Sequence, residues 1–305
     1  MIESEDELRD EIQQLEPMRI VNTGTSLNRL VFLADKNELI ASDNMTIFGW
    51  NVETGEKTRE IRAHTNFISS LVVLPGNRVA SCSADTSIKI WNMETGSIER
   101  VLTGHNKCVN ALAALTEPYL ASCSNDSTLK IWNYETGHLI AEKITRTWQL
   151  RICALPNGDI VTTGNASPSG TFGISVWNAY DGQLKMELAG HDDVIFSLLA
   201  VSNEELVSGS SGKIRVWNLG DGSLRAQLEH ENIIYSLELL SNNSFASCSH
   251  EGTIKIWSRS SVNDWHCAKT CKEQHSKCYI KSIVNLNNNQ LASCSSDKSI
   301  KIWKL

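Results

Sequence analysis

The sequence lacks a long hydrophobic run, an apolar N-terminus and an excess of basic residues, and each absence argues against a class of protein. No apolar stretch approaches the ~18 residues of a membrane helix, so we expect no membrane segment. The N-terminus is acidic, so we expect no secretory signal. Net charge is −7, and residues 1–18, with seven acids and one arginine, carry −6 of it. The nearly neutral remainder lacks the basic surface of a general nucleic-acid binder.

Cysteine is not scarce, but the close cysteine pairs of metal knuckles are missing. No Cys-x-x-Cys occurs among the nine cysteines. A tetrapeptide that recurs in several places, Ala-Ser-Cys-Ser, predicts a small apolar strand position packed between sheets. The odd count predicts reduced thiols and a cytoplasmic location, with the nucleus as the alternative. The recurring positions are Cys82, Cys123, Cys248 and Cys294.

What the chain has instead is a repeat that ends in Ile-Trp-Asn or a close variant. The tryptophans that close the copies are spaced by 41, 41, 45, 40, 40 and 46 residues. A period of this length is typical of one four-stranded propeller blade, and seven such copies can close a ring. The seven residues are Trp50, Trp91, Trp132, Trp177, Trp217, Trp257 and Trp303.

Residues 64–103 illustrate one copy. Apolar and polar side chains alternate in Ile88-Lys89-Ile90, which is the period of a β-strand. Gly96 stands in the turn that follows Trp91, where we expect a positive φ. The pattern predicts four strands, at 67–74, 78–83, 87–91 and 97–102.

These repeats resemble those of the WD40 family. The best copy has Gly104-His105, Asp126 and Trp132-Asn133, where the family has Gly-His, an Asp turn and Trp-Asp. Asn replaces the final Asp in five repeats. The resemblance covers roughly residues 17–305 and implies an all-β fold, a seven-bladed WD40 β-propeller.

The two ends of the chain are predicted to close the ring together. The last repeat stops directly after Trp303, so its outer strand is missing there. Residues 17–24 precede the first repeat, and we expect them to supply this strand, which removes open sheet edges. Residues 1–16 would then form a separate short acidic helix, with a solvating tail as the alternative. The apolar stripe of that helix is Leu8, Ile12 and Leu15.

The resemblance further implies a buried hydrogen-bond network in the well-preserved blades. In the family it joins a loop His, a Ser or Thr of strand two, the turn Asp and the Trp of strand three. Several copies of a Ser–His–Asp set argue for structure, because a catalytic site needs only one. Since a Gly-x-Ser-x-Gly elbow is also missing, we expect no catalytic residue, no cofactor and no enzyme. The implied members are His64, Ser81, Asp85, Trp91, His105, Ser122, Asp126, Trp132, His275, Ser293, Asp297 and Trp303.

One cluster of metal-ligand residue types occurs in residues 266–278. Cys267 and Cys271 are four apart on a predicted outer strand, so we expect them to share one face. His275 is already the implied network histidine, and Cys278 begins an innermost strand. A zinc site of these four residues is the alternative, but we expect no metal.

The family usually binds partners on the face where strand one begins, and two alternating positions per repeat should lie there. The second position holds Arg29, Ser69, Asn110, Leu150, Phe196, Tyr235 and Lys281. Aromatic rings beside an isolated basic pair resemble a peptide hot spot, although each ring could instead pack between blades. The candidate partner-binding residues are Arg29, Phe67, Trp148, Phe196, Tyr235, Tyr279 and Lys281.

Trp148 is the strongest of these candidates because its repeat departs from the template. Residues 145–148 replace the usual Gly-His loop, and an insertion at 165–171 lengthens the other loop of the same blade. The fourth and first repeats also have incomplete networks. We therefore expect these two blades to be less rigid or to be shaped by a partner.

The sequence thus favours a non-enzymatic interaction scaffold whose partners are proteins or peptides. A substrate-recognition subunit of a ubiquitin ligase is an alternative, weakened because family members docking on a cullin-linked adaptor often carry Trp-Asp-x-Arg. Here Glu94 and Glu135 stand at that place. RNA binding and an enzyme are further alternatives. We expect a monomeric ring with no membrane association, although the sequence leaves the oligomeric state open.

Overall fold

Four-stranded antiparallel sheets repeat along the chain, as the alternating pattern predicts. The computed structural model describes residues 13–14 (backbone only), 16–145, 147–164, 172–179, 181–261, 263–271, 275 and 278–305. Two strands precede the blades, β1 (Gln13–Gln14) and β2 (Pro17–Asn22). Blade 1 contains β3 (Arg29–Leu33), β4 (Glu38–Ser42), β5 (Thr46–Asn51) and β6 (Lys57–Arg62), with a 3-10 helix at Ala34–Lys36. Blade 2 contains β7 (Ile68–Leu74), β8 (Arg78–Ser83), β9 (Ile88–Asn92) and β10 (Ser97–Leu102).

The remaining blades repeat this order of innermost to outermost strand. Blade 3 contains β11 (Val109–Ala114), β12 (Tyr119–Ser124), β13 (Thr128–Asn133) and β14 (Leu139–Ile144). Blade 4 contains β15 (Gln149–Ala154), β16 (Ile160–Gly164), β17 (Phe172–Trp177) and β18 (Leu184–His191). Blade 5 contains β19 (Ser197–Ala200), β20 (Glu205–Gly209), β21 (Ser211–Asn218) and the first half of β22 (Leu224–Ser241). The second half of β22 starts blade 6, with β23 (Ser244–Ser249), β24 (Ile254–Arg259) and β25 (Trp265–Cys271). Blade 7 contains β26 (Ile280–Asn287), β27 (Gln290–Ser295) and β28 (Ser299–Lys304).

The blades form a closed ring. The innermost strands of successive blades contact one another from β3 round to β26, and β26 contacts β3. β2 pairs antiparallel with β28, with Pro17 opposite Trp303 and Asn22 opposite Ser299. The predicted closure by an N-terminal strand is therefore confirmed, and the strand itself ends at Asn22.

The N-terminal segment differs in part from the prediction of a helix over residues 1–16. Gln13–Gln14 are extended and pair in parallel with β25, at the outer edge of blade 6. The apolar stripe of that segment, Leu8, Ile12 and Leu15, lies outside the described residues. The division of the chain at residue 16 stays a prediction.

Apolar side chains from facing sheets fill the spaces between blades. Ile47 of blade 1, for example, shares a core cluster with Val79 and Trp91 of blade 2. The four cysteines of the repeated tetrapeptide, Cys82, Cys123, Cys248 and Cys294, are fully buried, as expected for a strand position between sheets. In the described part of the chain, no helix is long and apolar enough to cross a membrane.

The turn after strand three explains why Asn can replace the family's Asp. In blade 2 the Asn92 side-chain oxygen accepts hydrogen bonds from the backbone N–H of Glu94 at 2.9 Å and of Thr95 at 3.2 Å. An amide oxygen serves this Asx turn as well as a carboxylate does. Gly96 completes the turn with φ +71, as predicted.

Candidate binding site at the ring entrance

Three blades carry the same chain of hydrogen bonds, which runs from the turn aspartate through the loop histidine and a serine to the tryptophan of strand three. In blade 2, His64 Nδ1 lies 2.8 Å from Asp85 Oδ2, and His64 Nε2 lies 2.7 Å from Ser81 Oγ. The Trp91 Nε1–H donates to the same Ser81 oxygen at 2.8 Å. Blades 3 and 7 repeat these contacts at 2.7–2.9 Å through His105, Ser122, Asp126 and Trp132, and through His275, Ser293, Asp297 and Trp303.

The charges in this network suit structure rather than catalysis. Burial opposes ionisation of Asp126, but hydrogen bonds from Thr128 and His105 outweigh it and lower the pKa of Asp126 to about 2. Burial lowers the pKa of His105, so the imidazole is neutral at pH 7. Ser122 is fully buried, so a substrate could not reach its hydroxyl. The set therefore satisfies buried polar groups and fixes the strand register.

The structure separates the residues of the candidate zinc set. A β-bulge between Lys269 and Cys267 shifts the alternation of side chains along β25. As a result Cys271 packs into the core shared with blade 7, while Cys267 packs against the core shared with blade 5. The expectation that these two cysteines share one face was wrong for this reason. No metal-holding group of His, Cys, Asp or Glu occurs among the described residues.

The ring axis holds a narrow cavity whose wall draws on all seven blades. Its volume is about 150 Å³, below the roughly 300–1,000 Å³ of sites for drug-sized ligands. Three of its lining side chains are cationic, and the described lining contains no Asp or Glu. The lining includes Arg29, Ser69, Ser70, Asn110, Arg151, Phe196, Tyr235, Ser236, Lys281 and Ser282.

Two arginines make matching contacts in this wall. Arg29 Nε donates to the Ser69 carbonyl of blade 2 at 2.7 Å, and Arg151 Nε donates to the Phe196 carbonyl of blade 5 at 2.6 Å. Each also donates from Nη1 to the carbonyl of the preceding residue. Lys281 Nζ donates to the Asn28 side-chain oxygen at 2.6 Å. The three cations are thus held at the wall by neutral oxygens only.

The three cations also affect one another electrostatically. Burial lowers the pKa of Arg151 to about 10, and the charge of Arg29 contributes to that shift. Burial likewise lowers the pKa of Lys281, with Arg29 again contributing. At pH 7 both guanidinium groups remain charged. The cavity is therefore a site of concentrated positive charge in a chain whose net charge is negative.

An aromatic row runs from blade 5 to blade 7 beside the cavity. Phe196 and Tyr235 meet edge to face, with ring centroids 6.1 Å apart. The Tyr235 hydroxyl lies 2.9 Å from His250 Nδ1, and His250 stacks on Tyr279 with centroids 3.7 Å apart. Tyr279 is 41% exposed, whereas Phe196 and Tyr235 are half-buried. The row therefore offers a rigid aromatic surface at one side of the entrance.

The other two predicted aromatic residues stand apart from this row. Phe67, in blade 2, is 39% exposed, and Trp148, in blade 4, is 50% exposed. Lys107 Nζ lies 6.0 Å from the Trp148 ring centroid, a cation–π distance. Arg146 and the insertion at 165–171 lie outside the described residues. The seven candidate residues therefore form three groups: the cavity cations, the aromatic row, and two separate exposed rings.

The strand-one alternation did not identify Arg151, Asn28 or His250. In β11 an extra residue, Asn110, separates the pairs Val109–Ser124 and Ala111–Cys123. Such a bulge shifts the alternation of side chains by one position, so a second residue, the one after the bulge, lines the cavity. That second residue is Arg151 in blade 4, whereas Leu150, the predicted one, is not part of the lining. Two arginines at comparable places in divergent repeats were the signal available in the sequence.

The fold and this site define a class of protein: a closed propeller with an aromatic, cationic entrance. The family model described as "WD domain, G-beta repeat" matches residues 55–92, 96–133, 182–218, 222–258 and 265–304, more than half of the chain. The chain therefore belongs to the WD40 family. Members of this family are generally non-enzymatic scaffolds for protein interaction. The matched segments leave out most of the first and fourth repeats, the two that the sequence marked as divergent.

A solved structure titled "Structure of U3-55K" is similar to this chain over nearly the whole ring. It has a TM-score of 0.83 at 20% identity, and the match covers 96% of this chain and 98% of that one. At this identity the similarity shows the fold alone. A comparison with curated proteins gives no match.

Proposed function

We propose that this protein is a non-enzymatic recognition module that binds a peptide or a protein segment on the entrance face of its ring. The observation that carries the proposal is the aromatic row Phe196–Tyr235–His250–Tyr279 beside the axial cavity. Rigid rings with a polar edge lose little conformational entropy on binding and are enriched in interface hot spots.

The exposure of the rings supports this face over the core alternative. Tyr279, Phe67 and Trp148 each expose between 39% and 50% of their surface, which is unusual for side chains that only pack between blades. A peptide lying over the entrance could contact the row on one side and Trp148 on the other. The small axial cavity would accept a single side-chain headgroup, so a small-molecule enzyme substrate is a poorer fit.

The test compares partners captured from a cell lysate by the wild-type ring and by a Trp148→Ala/Tyr235→Ala variant. A matched control, Tyr119→Ala/Leu139→Ala, removes similarly exposed side chains from the opposite face, where strands two and four begin. We expect specific partners to be lost from the entrance variant and kept by the control, with all three proteins melting alike. Partners kept by the entrance variant would contradict the proposal.

A ubiquitin-ligase receptor would be a narrower version of the same role, and its substrate would occupy the same face. The turns after strand three carry Glu94 and Glu135 where adaptor-docking relatives often carry Arg, so we propose the general role. All nine cysteines are free, which supports a reducing compartment such as the cytoplasm. A monomeric ring is the state that we propose in solution.

A further inference from the structure

The axial cavity contains more positive charge than packing of the ring requires. Arg29, Arg151 and Lys281 line its wall, and none of them is paired with a carboxylate in the described lining. Burying a cation without a counter-charge is costly, and like charges held together add to that cost. A site kept in this state in the free protein is suited to an anion that arrives with a ligand.

The hydrogen bonds of the arginines leave donors available for such an anion. Each arginine anchors itself to the wall through Nε and Nη1, and among the described residues no hydrogen bond is formed by Nη2 of either. The two side chains come from blades 1 and 4, which are three places apart in a ring of seven and so face each other across the axis. An anionic group entering between them would meet donors from opposite walls.

We propose that the axial cavity binds the anionic side chain of a peptide partner, a phosphorylated or carboxylate residue, between Arg29, Arg151 and Lys281. This assignment rests on the function proposed above and specifies the chemistry of its ligand. The aromatic row would hold the flanking peptide, and the cavity would select the charge. The half-buried position of the cations in the axial cavity, inside a nearly neutral ring, favours one inserted side chain over a nucleic-acid backbone, which needs charge spread along a surface.

The blades that supply the arginines fit this assignment. Blade 1 and blade 4 are the repeats that the family model largely omits, and they lack the His–Asp pair of blades 2, 3 and 7. Trp148 also belongs to blade 4. Departure from the repeat thus coincides with the two arginines of the candidate site, whereas Lys281 comes from the well-preserved blade 7.

The first experiment uses four pools of degenerate peptides that carry phosphoserine, glutamate, serine or lysine at a fixed central position. Immobilised wild-type protein should retain the phosphoserine pool, the glutamate pool or both at least ~10-fold over serine and lysine, the preference expected from a charge-assisted pair. Whichever pool is enriched identifies the source of the anion. The Arg29→Gln/Arg151→Gln variant should lose this preference to below about 2-fold.

Controls separate a binding role from a structural one. Arg29→Lys/Arg151→Lys keeps the charge and should keep part of the preference, while Arg100→Gln changes an exposed arginine outside the cavity and should keep all of it. Inorganic phosphate should raise the melting temperature of the wild-type protein by a few degrees more than that of the Gln variant. A Gln variant that melts at a lower temperature but retains the anionic peptide pools like the wild type would show that the arginines only hold neighbouring blades together. That result would overturn the assignment.

The failures of the two proposals can be distinguished. Equal retention of all four pools, abolished by Tyr235→Ala, would overturn the anion site and leave entrance-face recognition standing. Stabilisation by phosphate without enrichment of a charged pool would mean a site for small free anions, and would also overturn the peptide assignment. Failure of every pool, together with lysate partners that survive Trp148→Ala/Tyr235→Ala, would overturn both.

Discussion

Buried histidines differ in this ring according to what accompanies them. In blades 2, 3 and 7 an aspartate at 2.8 Å partly offsets the effect of burial on the imidazole. In blade 5 the hydrogen bonds of the His191 ring go to the hydroxyls of Ser208 and Ser210, and in blade 6 the described residues offer no partner to His230 Nε2. Burial lowers the pKa of both His191 and His230 to about 4.

These shifts predict that protonation of the buried histidines destabilises the fold as the pH falls below about 6.5. An unfolded histidine binds a proton below pH ~6.5, while His230 in the folded ring stays neutral down to about pH 4. At this group the unfolded state therefore binds more protons in that window, and the contribution of His230 to stability falls as the pH falls from 6.5 to 4. We expect His230 alone to account for a loss of about 2 kcal/mol between pH 7 and pH 5, measured by urea unfolding.

Substituting His230 should reduce that slope. His230→Phe keeps an aromatic ring beside Trp257, whose centroid is 6.3 Å away, but cannot bind a proton. The variant should lose about 2 kcal/mol less than the wild type between pH 7 and pH 5. Equal slopes for the wild type and His230→Phe would contradict the prediction.

At the scale of a strand, β-bulges limit what can be predicted from the sequence. Alternation correctly predicts the strands, because the period of two survives within each regular stretch, and the spacing of the tryptophans predicts the ring. It cannot show where one residue is inserted, since a bulge depends on hydrogen bonding to the neighbouring strand. Two errors of the sequence analysis come from bulges. The cavity position of Arg151 was missed, and Cys267 and Cys271 were expected on the same face of their strand.

Within a blade, the contribution of the hydrogen-bond network to the free energy of unfolding should grow with the number of buried polar groups that it pairs. Ser81 Oγ bonds to both His64 and Trp91 in blade 2, whereas among the described residues Thr162 Oγ1 of blade 4 bonds only to Trp177. Removing a hydroxyl leaves each former partner buried and unpaired, at about 1–3 kcal/mol each. Ser81→Ala should therefore cost about 2–4 kcal/mol, and Thr162→Val, which keeps the side-chain shape, about half as much.

Chemical unfolding at pH 7 measures both costs. Ser97→Ala is the matched control, because this exposed serine on β10 bonds only to Thr95 and its loss should stay within about 0.5 kcal/mol. A loss for Thr162→Val equal to that for Ser81→Ala would show that the histidine contact adds nothing to the stability of blade 2.

Two kinds of polar contact distinguish six of the seven blades. Blades 2, 3 and 7 have the His–Ser–Asp–Trp network, while blades 1, 4 and 5 have a buried acid at the start of strand two paired with a cation of the outer strand. Glu205 also bonds Arg259 of blade 6 at 2.7 Å, so this pair joins two blades. The pairs are Glu38–Arg59, Asp159–Lys185 and Glu205–Arg225, at 2.7–2.8 Å. Divergent blades thus fix their register by a second device at the opposite end of the sheet.

The closing strand stabilises the ring as a whole because it joins the last blade to the first. Beyond its pairing with β28, Arg19 Nη1 donates to the Val52 carbonyl of blade 1 at 2.7 Å, and Val21 is buried in the core between these two blades. Deleting residues 1–24 would remove these contacts and expose the edge of β28. We expect a loss of about 5 kcal/mol, from the backbone hydrogen bonds and the burial of Val21, and a melting temperature lower by roughly 10 °C.

Deleting only residues 1–16 is the matched control, since it removes β1 but keeps Pro17–Asn22 in place. That shorter deletion should melt close to the full chain, and a synthetic peptide of residues 16–24 should restore part of the stability of the longer deletion by adding a strand to the open edge. If both deletions melt alike, the contact between blades 7 and 1 depends on the innermost strands β26 and β3 rather than on the outer strand. The N-terminal strand would then complete the last blade without adding to the stability of the ring.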